Sequence, residues 1–597
     1  MTKRLVLFAQ IVFFVYLSAY PGRESPIIIK EWKIIGPMLA SPREGATSVP
    51  FYPDIAQYQE EDLEYRFFCG NNLKFFDVEL KDNKISLESD TVSFIASQNS
   101  FGFPGVLNQY YCFSEFEAED GKMILVYTGG VSSFYVNNRK FIGDPYNHEK
   151  VFTPVNINFG KNTFSFITSG YYGYSDAYIK IYESDLPLIL NKKSSVAFDI
   201  IEDSLLTGYV SVQIVNCTDK DCAVKISEDY DDTIFSVEET SFSIPFLGVK
   251  NIPLKIIQKR KASDVKTVSL NFVIYLDSFS IKENFVLNVK KVSDVRKETF
   301  VSKTDSSVQY YAVRLPENFS TNNFHNPLIL SLHGAGVKAE GQAESYRQTS
   351  KSILVCPTNR GEYGFDWQEL GRIDFLEVLN TVKEKYSIDL NKISLTGHSM
   401  GGHGTMYLGS LYGHLFSSIV PASGWINFNT YIPQTFQRLN LFDNNKVRDN
   451  INLLKDAENP LVYADNLRNT PVLIIHGEKD DNVPVFQSRM FYNNLKSYGI
   501  NTSIIEYPNQ GHWFDIEETR GIDCIDSDEI MNFIDRNIRQ ILPRKSILKT
   551  FSLFVSDSSA YAKISRQTKK YEKSTLKIEL KLEEIEIETE NVEGFVL

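Results

Sequence analysis

Cysteine is scarce, with six among 597 residues, and no pair has the close spacing of a thiolate metal site. That excludes a cysteine-ligated zinc module and a fold framed mainly by disulfides. Basic charge is also short. Sixty-two Lys and Arg stand against 75 Asp and Glu, for a net charge of −13. Phosphate binding needs clustered cations, so this balance argues against a nucleic-acid partner. Apart from the N-terminus, no apolar run approaches the length of a membrane span. No repeat of blade length recurs, which excludes a propeller of several similar units. Nor do the first 300 residues show sustained helical periodicity.

Aromatic residues, by contrast, are abundant, with 42 Phe and 32 Tyr. They favour strand-rich cores. The length suggests about three to five domains. At the N-terminus, Lys3 and Arg4 precede an apolar run over 5–17, followed by Ser18 and Ala19. This reads as a secretory signal peptide over 1–20, hence a secreted or endomembrane-lumen protein with no membrane association after cleavage. In such a compartment Cys69–Cys112 and Cys217–Cys222 are candidate bridges, and Cys356 reads as a buried thiol on a strand. Sequons at Asn216, Asn318 and Asn501 fit secretion.

Short alternating runs separated by Gly and Asn, such as 122–127 (KMILVY), 163–167 (TFSFI) and 209–215 (YVSVQIV), make residues 23–300 all-β. Strands at this spacing suggest two sandwiches, over 23–185 and 186–300. From 301 to 545 the pattern changes. Buried-strand runs at 328–332, 353–355, 393–396, 418–421, 471–475 and 502–507 alternate with helical stripes at 373–386, 400–411, 485–498 and 527–542. Such alternation predicts a mostly parallel sheet covered by helices. Residues 546–597 form a short β tail, with Leu576, Ile578, Leu580 and Leu582 on one face. It is too small to stand alone and is expected to dock.

Within this third region four strand ends carry chemistry. Gly397-His398-Ser399-Met400-Gly401 lies between a strand and a helix, where small residues permit a sharp turn that exposes a nucleophilic serine. A serine hydroxyl needs a base, and the base an acid to orient it. Past the strand at 471–475 come Asp480 and Asp481. Past the strand at 502–507 comes His512, the only histidine after His476. The order Ser399, then Asp480 or Asp481, then His512 suits a catalytic triad. Oxyanion donors are expected at the Met400 N–H and, from His333-Gly334-Ala335-Gly336, at Ala335 or Gly334. Acyl transfer of this kind calls for no metal and no cofactor.

The segments LILSLHGAG, RIDFLEVLNTVKEKYSIDLNKISLTGHSMGGHGT and PVLIIHGEKDDNVPVFQS, with the later GHW, resemble the prolyl oligopeptidase family and its esterase-like relatives. The resemblance covers about 305–545. It implies an α/β-hydrolase domain, a serine-type peptidase or carboxylic ester hydrolase, and Asp480 rather than Asp481 as the acid. The N-terminal half departs from that family, having no propeller. Instead FYVNNRKFIG at 134–143 with GKNT at 160–163 resembles a galactose-binding-like jelly roll, and the second sandwich is expected to be Ig-like. Tyr171, Tyr172 and Tyr174 are candidates to stack on sugar rings. Asp366, Trp367, Trp425 and Trp513 are candidates for the pocket or, as readily, for the core, and the polar insertion after Trp425 is either a lid or a connector. The expected partner is a peptide or ester substrate, carbohydrate-linked in one reading. Two other readings stand beside the peptidase: a carbohydrate or polyester esterase with the same triad, and an inactive carbohydrate-binding protein.

Overall fold

The structure, a computed structural model, describes residues 23–24, 29–39, 65–66, 72–73, 75–89, 94–96, 106–319, 325–431, 456–517 and 521–597. The expected signal peptide, Cys69 and most of the insertion after Trp425 lie outside them.

One eight-stranded sheet organises the second half. Its strands are β1 (Arg296–Val301), β2 (Val308–Arg314), β3 (Asn326–Leu332), β4 (Ile353–Pro357), β5 (Ile388–His398), β6 (Ser418–Ala422), β7 (Val472–Gly477) and β8 (Thr502–Tyr507). Their order across the sheet is β1-β2-β4-β3-β5-β6-β7-β8. Strand β2 runs antiparallel to both neighbours, and from β4 to β8 every pairing is parallel. The sheet thus begins at Arg296, a little before the expected boundary at 301.

The continuous apolar runs are explained by burial on both faces. Leu328, Leu330 and Leu332 point into one core with Ile393, Leu395, Phe375, Leu379 and Met406. Ile329 between them points into the other, with Leu354, Val420, Leu473, Ile530 and Phe533. Each such side chain contributes about 1.5–3 kcal/mol when fully buried. The covering helices are α1 (Ala339–Glu344), α2 (Glu369–Lys385), α3 (Met400–Tyr412), α4 (Phe486–Ser497) and α5 (Asp528–Arg536). Helix α4 stops where Gly499 takes φ +70°, as expected for a glycine past a helix end. Helix α5 is shorter than the expected 527–542. Asn537 turns to an extended backbone, and Ile538, Ile541 and Leu542 are exposed, so the apolar pattern there has no core to face.

Among the described residues, four β-sheets of four or more strands lie before this sheet. Two, of five and six strands, enclose Trp32, Phe134, Phe164 and Phe166. Two more, of four and five strands, enclose Ile214, Val224, Leu254 and Phe272. Cys217 and Cys222 are separate thiols, not a bridge. The Cys222 Sγ donates to Asn216 Oδ1 at 3.2 Å, while the Cys217 Sγ donates to the Val215 carbonyl at 3.9 Å. Cys112 and Cys356 are buried thiols. Asn216 is fully buried and its amide donates to the carbonyls of Lys220, Ile244 and Pro245, which closes that sequon in the folded chain. Asn318 and Asn501 are exposed.

The C-terminal tail docks on the large sheet's helices. Asn466 accepts from the Lys549 N–H at 2.7 Å and donates back to its carbonyl at 3.1 Å. Phe551 enters the core beside Tyr463. Leu576 and Ile578 are buried, but Leu582 is fully exposed, so the expected apolar face ends before it.

Edge strand β1 fastens the large sheet to the β-layers. Thr299 Oγ1 donates to the Tyr209 carbonyl at 2.8 Å and accepts from its N–H at 3.2 Å. Beside it the Arg296 guanidinium is 1% exposed and bonds Glu298 Oε1 at 3.0 Å. Tyr311 and Tyr386 each donate to the same carboxylate at 2.7 Å, and Lys385 pairs with it at 2.9 Å. Removing the carboxylate strands a buried cation. Glu298→Ala is therefore expected to destabilise the large-sheet domain by about 3–5 kcal/mol. Urea denaturation followed by intrinsic fluorescence checks this, and a loss under about 1 kcal/mol would contradict the role given to Glu298.

Candidate active site

Ser399 sits between β5 and α3 with φ +59° and ψ −118°, a conformation costly for any residue with a side chain. Close packing enforces it. A Cβ on Gly401 would lie 1.9 Å from the Leu332 carbonyl oxygen, and one on Gly397 would lie 2.5 Å from the Gly401 oxygen. Only glycine lets β3, β5 and the start of α3 approach this closely.

The loops after β7 and β8 meet beside this turn. A Cβ on Gly477 would fall 2.1 Å from the Gly511 carbonyl oxygen, and the Lys479 N–H donates to the Gln510 carbonyl at 2.8 Å. This places His512 Nδ1 2.8 Å from Asp480 Oδ2 and His512 Nε2 2.9 Å from Ser399 Oγ. The carboxylate can only accept, so Nδ1 carries the proton and Nε2 is left to accept from the serine hydroxyl. Asp481 takes no part in this relay.

Asp480 is held from four directions. Oδ1 accepts from the N–H groups of Asn482 and Val483 at 3.0 and 2.8 Å. Oδ2 accepts from His512 and lies 3.2 Å from His476 Nε2. That nitrogen also faces the Val483 carbonyl at 2.7 Å, so it is the protonated one, and Nδ1 accepts from Ser488 Oγ. Burial pushes the Asp480 carboxyl up, but the hydrogen bonds from His476 and His512 outweigh it and hold it far below the ordinary range.

His398 has a second role that its place in the turn did not reveal. Its Nε2–H donates to the His512 carbonyl at 2.7 Å, and its ring lies 4.7 Å from the His512 ring. Trp513 packs edge-on against it at 4.8 Å. Burial, then repulsion from His512, pushes the His398 imidazole down to about 3. His476 and His398 thus brace Asp480 and His512. Their signal in the sequence was a histidine in each motif, which composition alone cannot tell from packing.

Met400 and the loop after β3 stand next to Ser399. Gly334 packs with its Cβ position 3.5 Å from Ser399 Cβ. The Gly336 N–H donates to the Glu362 carbonyl at 3.0 Å, and the Val337 N–H to the Gly334 carbonyl at 3.3 Å. Among the described residues the Ala335 N–H has no such backbone partner, and Ala335 is exposed at the rim. The candidate pocket residues divide. Trp513 is 49% exposed at the site, whereas Trp367 is fully buried against Gly404 of α3, with its indole N–H on the His333 carbonyl. Trp425 is stacked between His403 and Tyr431, and Asp366 is buried beside Trp367. Trp367 and Trp425 are core: Trp367 fills the space against Gly404 of α3, and Trp425 that between His403 and Tyr431. Among the described residues no group of His, Cys, Asp or Glu is arranged to hold a metal.

A sheet in this order, with a serine on a strained turn between a parallel strand and a helix, defines an α/β-hydrolase domain. Within that class, the model of the prolyl oligopeptidase family matches residues 360–540. An uncharacterized secreted protein of Arthroderma benhamiae is 26% identical over 55% of this chain and 36% of its own length. Dipeptidyl-peptidase 5 of Porphyromonas endodontalis is 24% identical over 37% of this chain and 35% of its own. The chain thus spans about a third of the length of these curated relatives. An acylaminoacyl peptidase structure from Pyrococcus horikoshii aligns with a TM-score of 0.36 at 15% identity, over 79% of this chain and 73% of that one. Among the described residues no helix is long and apolar enough to cross a membrane.

The neutral His398 gives a pH test. Unfolded, the imidazole takes up a proton near 6.5; folded, it does so only near 3. Between these values the unfolded state binds more protons, so this contribution to stability is present at pH 7 and lost as pH falls through 6.5 toward 3. Relative to His398→Gln, which keeps a donor toward His512, the wild type is expected to lose stability on going from pH 7 to 4.5. Parallel melting curves for the two proteins check this. A constant difference across that range would show His398 to be solvated.

Proposed function

We propose that this protein is a secreted serine hydrolase that transfers acyl groups to water through Ser399, acting as a peptidase of the prolyl oligopeptidase type. The observation that carries the reading is the relay Ser399–His512–Asp480, closed at 2.9 and 2.8 Å by residues from three separate strand ends. Secretion is supported by the N-terminal charge and apolar pattern. The relative from Arthroderma benhamiae is also called secreted.

His512 Nε2 takes the proton as Ser399 Oγ attacks the substrate carbonyl. Asp480 stabilises the imidazolium and fixes its tautomer without taking its proton. The N–H groups of Met400 and Ala335 receive the oxyanion. Collapse of the tetrahedral intermediate expels the leaving group, which gains the His512 proton, and leaves an acyl-enzyme on Ser399. Water then attacks it, with His512 again as base, to release the acid and restore the serine. The peptidase reading leads because a matched relative is a dipeptidyl-peptidase. The same machinery cleaves esters.

Fluorophosphonate labelling and p-nitrophenyl acetate turnover test the reading. The wild type is expected to label, and Ser399→Ala to lose labelling and about 10⁶-fold in kcat. Asp480→Asn should lose about 10⁴-fold, because the wrong histidine tautomer is then favoured. A wild type as inert as Ser399→Ala across pH 5–9 overturns the proposal. The ratio of dipeptidyl p-nitroanilide to p-nitrophenyl ester turnover then separates amide from ester preference.

A further inference from the structure

The two peptide units on either side of Ala335 are pinned from different directions. A peptide unit is planar, so whatever holds its carbonyl also sets its N–H. The Gly334 carbonyl belongs to the unit that carries the Ala335 N–H. It accepts from the Val337 N–H at 3.3 Å and lies 2.9 Å from His333 Nδ1. The next unit is held by its Gly336 N–H, which donates to the Glu362 carbonyl at 3.0 Å. Gly336 has φ +75°, and a Cβ there would meet the Tyr363 hydroxyl at 3.0 Å. Glu362 and Tyr363 thus form a wall against which this loop rests.

Glu362 and Tyr363 are the tip of the loop between β4 and α2. The base of that loop is secured within the large sheet's domain, where Arg360 pairs with Asp305 at 2.9 Å and with Glu377 at 3.2 Å. The tip is also met from the N-terminal sheets. The Tyr146 ring stacks on Tyr363 with centroids 5.1 Å apart and planes 12° from parallel, and His148 Nδ1 lies 3.9 Å from the Glu362 carboxylate. The turn that carries Tyr146 is itself anchored. The buried Asp144 carboxylate accepts from the N–H groups of Tyr146 and Lys150 at 3.3 and 2.8 Å. The Asp144 backbone donates to the Thr128 carbonyl at 2.8 Å and accepts from the Gly130 N–H at 2.9 Å, which ties the turn to a neighbouring strand.

We propose that Tyr146 is a positioning residue for the loop over 333–337: by stacking on Tyr363 it holds the Glu362 carbonyl against Gly336 and so fixes the direction of the Ala335 N–H. Its effect on rate rests on the hydrolase reading, whereas the restraint on the loop does not. An oxyanion donor helps only if it is in place before the charge develops, so a loop left free to reorient gives up rate without giving up substrate affinity. Stacked aromatic rings suit such a strut, because each has few rotatable bonds and a preferred mutual geometry. The N-terminal sheets thereby act on the reaction without touching the substrate.

Full-length wild type, Tyr146→Ala, Tyr363→Ala and the double variant are compared in two ways. Hydrogen exchange over 333–337, read by mass spectrometry, is expected to be at least about threefold faster in each variant, while β7 exchanges as in the wild type. With p-nitrophenyl acetate, kcat per fluorophosphonate-titrated site is expected to fall about tenfold, with KM and the pH midpoint unchanged. Counting titrated sites removes any unfolded fraction. The double variant should be no slower than Tyr363→Ala, because Tyr146 acts through that ring. Exchange unchanged in both single variants, or kcat per site within about twofold of wild type in both, overturns the positioning role. A wild type that neither labels nor turns over defeats the hydrolase reading instead, and the exchange comparison still decides whether Tyr146 restrains the loop.

Discussion

Everything at the candidate site depends on parallel strands ending at one edge of one sheet. Residues 333–336, 399, 480 and 512 are remote in sequence, yet each follows the C-terminal end of β3, β5, β7 or β8. Parallel pairing at 4.7–4.9 Å spacing brings those ends within a side chain's reach. The sheet can hold that arrangement only because both its faces are apolar and covered. The site's geometry is therefore secured by the hydrophobic core well below it, and only finished by the polar contacts above.

Within that frame the site trades local strain for access. Ser399 occupies a backbone conformation that costs on the order of 1–3 kcal/mol. The cost is carried by neighbours that cannot relax. Gly397 and Gly401 are wedged against β3 carbonyls, and the core residue Trp367 fills the space under Gly404. The same loop that ends in Trp367 carries Tyr363 to the rim. Of the two readings open for Trp367, its burial selects the core.

This shows which parts of the sequence were legible. Strand-end motifs could be read because chemistry and topology constrain the same few residues. A serine between glycines, an acid and a histidine in that order each follow an apolar run that must be a buried strand. Trp367 and Trp425 could not be read, because an aromatic side chain serves a core as readily as a pocket, and only the backbone direction decides. The end of α5 was misplaced for a related reason. Ile538, Ile541 and Leu542 keep an apolar pattern, but nothing packs against it. Asn216 matches a glycosylation pattern, yet its amide is consumed by three carbonyls that lie as far away as Pro245. Convergence from afar also hid the stacking of Tyr146 on Tyr363, since the two are more than two hundred positions apart.

Charge placement completes the argument. Asp480 is ionised inside the protein because two imidazole N–H groups and two backbone N–H groups solvate it in place of water. In the proposed mechanism this anion, 2.8 Å from His512 Nδ1, faces the imidazolium formed when the serine proton is taken. His476 and His398 meet complementary requirements. His476 fills the remaining side of the carboxylate. His398 is held neutral by burial, which keeps a second positive charge from standing 4.7 Å from the proposed base. Deep burial of His398 against Trp513 provides that neutrality while leaving its N–H free to hold the His512 carbonyl. Three histidines in one small volume thus do different work, set by what each ring nitrogen faces.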